Sequence, residues 1–246
     1  MNKKIKIILP CYNAEKTILN AIQSVLNQTI QDWILYVIDD ASTDNTIKVI
    51  KDIVTDKRIV LLKNGNNRGV AESRNKGLAN AVDGDYVFFL DADDFWEENK
   101  LAEQLPLLEM GRGIVITEYV YVGGKRNNIT YKYNVLSKED FIYKKFRVCF
   151  SSLSFIFTDG IYFQRKGHED FLFILDLISH YQEISIINKR LVVMYKTMGS
   201  LSSNKNKAAL WHWDNLGEIY KAHYFTRVCA MISYILRGVL FSVKNK

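Results

Sequence analysis

Strand-like and helix-like segments alternate four times in the first hundred residues, and this alternation restricts the possible folds more than any other feature. Ile5 to Leu9 is a short apolar run that suits a buried strand, and Asn13 stands where it can cap a helix through Ile18, Ile22, Val25 and Leu26. Ile34 to Ile38 is a second strand. Ser42, Thr43 and Asp44 then offer capping oxygens to a helix through Ile47, Ile50 and Val54. Ile59 to Leu62 is a third strand, followed by Gly65, Gly69 and a helix through Ala71, Leu78 and Ala81. Tyr86 to Leu90 is a fourth. The pattern predicts an α/β fold with a mostly parallel central sheet and helices on both faces. After Gly111-Arg112-Gly113 the spacing predicts a strand at Ile114 to Thr117 and a hairpin over Tyr119 to Tyr133. Further on it predicts a helix over Phe171 to Ile178, a strand at Leu191 to Tyr195, a mobile loop at Met198 to Asn206 and helices from Ala208.

Ligands of such sheets bind beyond the carboxyl ends of the strands. The polar clusters fall at those ends: Tyr12-Asn13, Asp39-Asp40, Arg68 to Arg74, and Asp91 to Asp94. Carboxylates crowded together like Asp91, Asp93 and Asp94 repel one another unless a cation joins them, and oxygen ligands suit magnesium and manganese. The competing reading is a solvated turn that caps the next helix at Glu97-Glu98. Asp39-Asp40 can accept hydrogen bonds from a base or ribose, or cap a helix. Arg68, Arg74 and Lys76 match phosphate oxygens, or line an exposed helix face, and Gly69 allows close backbone approach. Glu169-Asp170 opens a helix. There it either serves the helix dipole or supplies a general base, with Phe171 and Phe173 withdrawing it from water. His168 is adjacent, and no chemistry is assigned to it.

Composition narrows the partners. A net charge of +6 and a pI near 9.0 favour an anionic ligand or surface. No basic stripe with interleaved aromatics predicts a nucleic-acid site. The cysteines Cys11, Cys149 and Cys229 lack metal-type spacing, and their odd number suits a reduced, cytoplasmic setting. No zinc cluster, nucleophile elbow or Walker loop is present. No secretory leader is read at the N-terminus, and no spanning helix is expected.

The ordered segments Pro10-Cys11-Tyr12-Asn13, Asp39 to Asp44, Asn67 to Asn75, Asp91 to Asp94 and Glu169-Asp170 resemble the motifs of family 2 glycosyltransferases. The resemblance spans nearly the whole chain. It implies a GT-A fold and an inverting single displacement from a nucleoside-diphosphate sugar, with UDP as the expected nucleotide and Mn2+ or Mg2+ as the cofactor. It implies that Pro10, Tyr12, Asp40, Gly69, Arg74, Asp91 and Ala92 line the donor, that Asp93 and Asp91 take the metal, and that Asp170 is the base. The halves are then residues 1–110 for the nucleotide sugar and 111–200 for the acceptor, with residues 201–246 forming a C-terminal loop and membrane-associating helices. Tyr195-Lys196 and Gly199 to Lys205 are similar to a segment of enzymes that build bacterial surface polysaccharides, a loop that can close over the diphosphate. The acceptor is then a growing glycan or lipid-linked glycan, and the chain works in the cytoplasm, peripheral to the inner face of the inner membrane.

Phe150 to His168 is short for an acceptor region, and Asp176 replaces an arginine that follows the Glu-Asp pair in many relatives. A non-catalytic nucleotide-sugar-binding module stays open as an alternative. So does a sugar-nucleotide pyrophosphorylase, although Cys11 to Lys16 lacks the glycine-rich basic loop of that class. The stripe Phe225, Val228, Ile232, Ile235, Leu236, Val239 and Val243, with Arg227, Arg237, Lys244 and Lys246, fits either a helix packed on the core or one lying in an anionic membrane interface.

Overall fold

A computed structural model describes residues 3–53, 55–123, 125–144, 146–164, 169–195, 205–221 and 223–244. His168 and residues 196–204 lie outside these, and with them most of the mobile loop expected at Met198 to Asn206; Lys205 and Asn206 are instead the first residues of a helix. The first half is β1 (Ile5–Cys11), α1 (Ile18–Leu26), β2 (Trp33–Asp39), α2 (Thr46–Ile53), β3 (Ile59–Lys63), α3 (Val70–Leu78) and β4 (Tyr86–Phe89). Every pairing among these strands is parallel, in the order β3-β2-β1-β4. The chain order reverses between β1 and β4, and that reversal opens a crevice at the carboxyl edge.

The second half is more mixed. It runs β5 (Phe95–Trp96), α4 (Lys100–Glu109), β6 (Ile114–Val122), β7 (Arg126–Ile129), β8 (Val135–Ser137), α5 (Lys138–Ile142), a 3-10 turn (Phe150–Ser152), β9 (Ser154–Ile156), α6 (Glu169–Tyr181), β10 (Glu183–Tyr195), α7 (Lys205–Ile219) and α8 (Tyr224–Lys244). The sheet continues from β4 through β9, β6 and β10 to β5. β9 is antiparallel to both β4 and β6, whereas β10 runs parallel to β6. The expected hairpin forms between β6 and β7, with Val122 facing Arg126.

Alternate residues of each strand feed opposite layers, as the two-residue strand period requires. Ile8, Ile38, Val87 and Phe89 join α3, α5 and α6 on one face. Ile7, Leu9, Val37 and Phe88 join α1 and α4 on the other. Gly77 lets α3 lie close to the sheet: a Cβ there would come within 2.6 Å of Ile8 Cγ2. This approach lowers Arg74, one turn earlier, into the aromatic layer.

One boundary differs from the sequence expectation. α1 begins at Ile18 with Thr17 as its N-cap, not at Asn13. Asn13 instead adopts φ 48°, a conformation Asn tolerates, and its Oδ1 accepts from Thr43 N at 2.8 Å. Ala14 N donates to Thr46 Oγ1 (2.7 Å) and Glu15 N to Asp44 Oδ2 (3.1 Å). These residues latch the β1–α1 loop to the β2–α2 loop, a bond set that outcompetes an earlier helix start.

Lys100, at the start of α4, is fully buried. Its Nζ donates to Gln104 Oε1 at 2.5 Å and stands 4.1 Å from the Trp96 ring centroid. Burial pulls its pKa well below the ordinary lysine value of 10.5, with the Trp96 face offsetting part of the cost. The unfolded chain then binds the extra proton between the two pKa values, so this group adds stability as pH rises toward 10.5. Wild type is expected to gain up to about 1.4 kcal/mol per pH unit relative to Lys100→Met in that window. Urea denaturation of both proteins across alkaline pH checks it, and parallel stability curves would exclude it.

Candidate active site

The carboxyl ends of β1, β2 and β3 are in register: Cys11 pairs with Asp39, and Asp39 with Lys63. Tyr12, Asp40 and Asn64 therefore stand side by side just past the sheet edge, and the acidic run follows β4 on the other side of β1. Tyr12 leaves 49% of its surface open, which offers an aromatic face at this edge. Pro10 is buried within β1, and Ala92 is half-buried beside Asp91. Cys11 is not a nucleophile, because burial, followed by Asp39, Asp44 and Asp40, pushes its thiol up to about 12.

Asp40 is buried, and both of its carboxylate oxygens accept from the β3–α3 loop. Oδ1 accepts from Asn64 Nδ2 (2.7 Å) and Arg68 N (2.9 Å), and Oδ2 accepts from Gly69 N (2.7 Å). Asp40 thus shapes the loop beside the expected nucleoside position, with Gly69 held through its amide. Gly69 holds φ 87° as the residue before α3, a conformation that favours glycine. The loop so shaped borders a polar cleft of about 390 Å³ lined by Asn64, Gly65, Arg68, Glu72, Asn75 and Lys76. None of the acidic run lines that cleft, so it is not the reacting centre. Asp40→Ala leaves three donors without their acceptor and is expected to cost about 2–3 kcal/mol. Chemical denaturation checks this, and an unchanged midpoint would show that the loop holds without Asp40.

The acidic run divides into two roles. Asp94 is buried and turned inward: Oδ2 accepts from Ser151 Oγ at 2.5 Å, and Oδ1 accepts from Tyr195 N at 3.2 Å. Burial, followed by the nearby Asp91, pushes its carboxyl well above the usual range. Ser151 Oγ also accepts from Asp91 N at 3.0 Å. Asp94 thus ties the end of β4 to the 3-10 turn and to the end of β10, rather than sharing a cation with its neighbours. Asp91 and Asp93 remain half-buried.

Arg74 joins the two halves of the site. Its Nη2 donates to Asp91 Oδ1 (2.8 Å) and its Nη1 to Asp170 Oδ1 (2.7 Å). The guanidinium is 2% exposed and lies 4.2 Å from the Phe150 ring centroid and 5.3 Å from that of Phe163. Burial opposes its charge, but Asp91 and Asp170 outweigh that and hold it protonated. Each terminal nitrogen thus gives an N–H to a carboxylate, a pairing that the sequence reading, which matched Arg74 to phosphate oxygens, did not include. Asp170 opens α6, and 54% of its side chain is accessible. Withdrawal from water, chiefly, together with Asp91 raises its carboxyl above the usual range against the pull of Arg74, and solvent at its open side moderates the shift. Asp176, two turns along α6, accepts from Gln164 Nε2 at 3.2 Å. The guanidinium that holds Asp170 therefore comes from α3, not from α6.

Ser151 and the pairing of Asn75 with Phe163 were not singled out in the sequence. Asn75 Nδ2 donates to Phe163 O and Phe163 N to Asn75 Oδ1, both at 2.8 Å, which fixes one wall of the Arg74 box. The Asn67 to Asn75 motif contained Asn75, but its partner 88 residues away left no local signal.

Among the described residues, no three carboxylate, histidine or cysteine side chains converge into a closed metal site. Asp91 and Asp93 supply oxygen donors only. That donor set suits a divalent cation bound by one or two carboxylates and completed by substrate phosphates and water.

Residues 6–172 match the family described as Glycosyl transferase family 2. The chain is 32% identical, over 98% of its length and 97% of the relative's, to the Escherichia coli UDP-Glc:alpha-D-GlcNAc-diphosphoundecaprenol beta-1,3-glucosyltransferase WfgD. It is 28% identical to the putative teichuronic acid biosynthesis glycosyltransferase TuaG of Bacillus subtilis, over 96% of each chain. Among solved structures, S. aureus TarS 1-349 in complex with UDP-GlcNAc superposes with a TM-score of 0.72 at 22% identity, covering 89% of this chain and 67% of that one. The mannosyltransferase PcManGT from Pyrobaculum calidifontis, in complex with GDP-Man and Mn2+, gives 0.67 at 16% identity over 95% and 70%. The fold is that of the GT-A enzymes, and the chain belongs to glycosyl transferase family 2.

Proposed function

We propose that this chain is an inverting, divalent-metal-dependent hexosyltransferase. It moves a sugar from a UDP donor to a hydroxyl of a diphosphate-lipid-linked glycan during bacterial surface-polysaccharide assembly, at the cytoplasmic face of the membrane. One observation carries the reading: Arg74 holds Asp91 and Asp170 on a single guanidinium, so the donor-side acid and the acceptor-side base share one crevice. The donor and acceptor classes are supported by relatives named for UDP-Glc and diphosphoundecaprenol and by the nucleotide-sugar complexes of the structural neighbours.

Tyr12 presents its open ring to the base of the nucleotide. Asp40 acts through the backbone it holds, placing Arg68 and Gly69 beside the ribose and phosphates. Asp91 and Asp93 would hold a divalent cation, whose charge would neutralise the departing diphosphate. Asp170 accepts the proton of the acceptor hydroxyl as that oxygen attacks the anomeric carbon from the face opposite the leaving group. Its raised pKa brings it closer to the working pH and makes it a better base than an ordinary surface carboxylate. Residues 1–110 then serve the donor and residues 111–200 the acceptor.

The test is transfer from α-linked UDP-glucose and UDP-N-acetylglucosamine to a lipid-diphosphate-linked N-acetylglucosamine, with the product's anomeric configuration read by NMR. A β-linked product supports inversion and the acceptor class. An α-linked product, or none from any UDP-sugar with manganese, would contradict the reading.

A further inference from the structure

The last helix has one face packed and the other bare. On the packed side, Ala230 is buried, Ser233 Oγ donates to Tyr143 O (2.6 Å), and Arg227 covers the Trp213 ring at 3.8 Å. On the opposite side, Phe225, Ile232, Leu236 and Val239 follow one another at helical spacing and are 80%, 51%, 59% and 57% exposed. Leu240 and Tyr224 extend the same open surface. A helix stabilised only by packing on its domain presents polar residues outward. α8 does the reverse, and it contains no aspartate or glutamate. Arg237 is exposed beside the stripe, and the chain carries a net charge of +6. No helix among the described residues is long and apolar enough to cross a membrane.

We propose that the exposed face of α8 docks in the interface of an anionic lipid bilayer, lying in its plane. Apolar residues of this kind bury into the headgroup boundary, an aromatic end suits that depth, and a basic flank meets acidic headgroups. A second copy is the poorer occupant. A two-fold contact would bring the same acid-free helix against itself, with no carboxylate to meet Arg237 on its flank, whose Nε donates to Ser233 Oγ at 3.2 Å.

The placement has a use. Tyr234 of α8 stacks on His212 of α7 (4.0 Å), and His212 meets the edge of Phe171 (4.9 Å), the residue next to Asp170. α8 therefore sits on the base side of the crevice, where docking brings Asp170 toward a hydroxyl carried on a membrane lipid. This use rests on the proposed lipid-linked acceptor, whereas the docking itself does not.

The experiment is co-sedimentation of the full chain with vesicles of phosphatidylcholine containing phosphatidylglycerol, compared with phosphatidylcholine alone. Wild type is expected to partition onto the anionic vesicles. The triple variant Ile232→Gln, Leu236→Gln, Val239→Gln is expected to bind at least about tenfold more weakly, which equals about 1.4 kcal/mol. It should keep its UDP-induced thermal shift and its transfer to a water-soluble acceptor. If that variant loses the thermal shift, Phe225→Ser takes its place. Wild type that stays in the supernatant overturns the proposal. So does a variant that binds like wild type, or a wild-type dimer that the variant converts to monomer without any vesicle binding. The vesicles carry no acceptor, so their result is independent of the acceptor reading, which transfer to the same lipid acceptor in detergent micelles tests separately.

Discussion

Asp170→Asn is expected to bind UDP-sugar as wild type does and to transfer at least about a thousandfold more slowly. Positioned general bases contribute about 10²–10⁴-fold, and the amide keeps the shape of the carboxylate without its basicity. Fold disruption is not a competing explanation: the side chain is 54% exposed, and its ion pair is the 2.7 Å contact to Arg74 Nη1. The Asn amide oxygen can still accept from Arg74 Nη1, and Asp91 still pairs the buried guanidinium, so the cost to stability is small. The measurement is single-turnover transfer at saturating donor, with UDP affinity measured alongside. A wild-type rate would remove Asp170 as the base, and lost UDP binding would place its role on the donor side.

Arg74→Met is expected to lower the transfer rate by about a hundredfold or more and to destabilise the protein by about 1–3 kcal/mol. The rate effect follows from geometry. Without the guanidinium, two carboxylates that face one crevice repel each other, and a shift of about 1 Å in a reacting group can cost about 10²-fold. Removing one partner of a buried pair costs about 3–5 kcal/mol, but Asp91 is 31% and Asp170 54% exposed and both regain water, which reduces the penalty. Arg74→Lys provides the control. An ammonium keeps the charge but lacks the planar fork that reaches two carboxylates at once, so it should rescue stability more than rate. Rate and denaturation midpoint measured for both variants check this. Equal rescue of the two would reduce Arg74 to a structural charge.

The four alternations in residues 5 to 89 were legible because the strands read as apolar runs, with β1, β2 and β4 buried on both faces and the edge strand β3 half-buried. The sheet-end clusters were legible for the same reason, since topology alone sends Tyr12, Asp40 and Asp91 to one edge. Partners were not legible. Asp94 looks the same in the sequence as Asp93, and only the 3-10 turn at Phe150–Ser152 decides that it faces Ser151 rather than solvent. Arg74 reads as a phosphate ligand until Asp170, 96 residues later, is folded against it. Asp176 stands where many relatives carry an arginine, and the cation beside Asp170 comes from another helix, which no local pattern shows. Short strands such as β5 and β9 escaped because two or three residues carry no periodicity, and pairing with distant β10, β4 and β6 defines them.

Calorimetric titration of UDP, with manganese and then with chelator, on wild type and Asp93→Ala decides whether the acidic run binds the donor through a metal. Binding to wild type is expected to need the metal, and Asp93→Ala to lose at least about tenfold in affinity. Equal affinity with chelator, or wild-type affinity in Asp93→Ala, would contradict a metal-bridged donor at this acidic run.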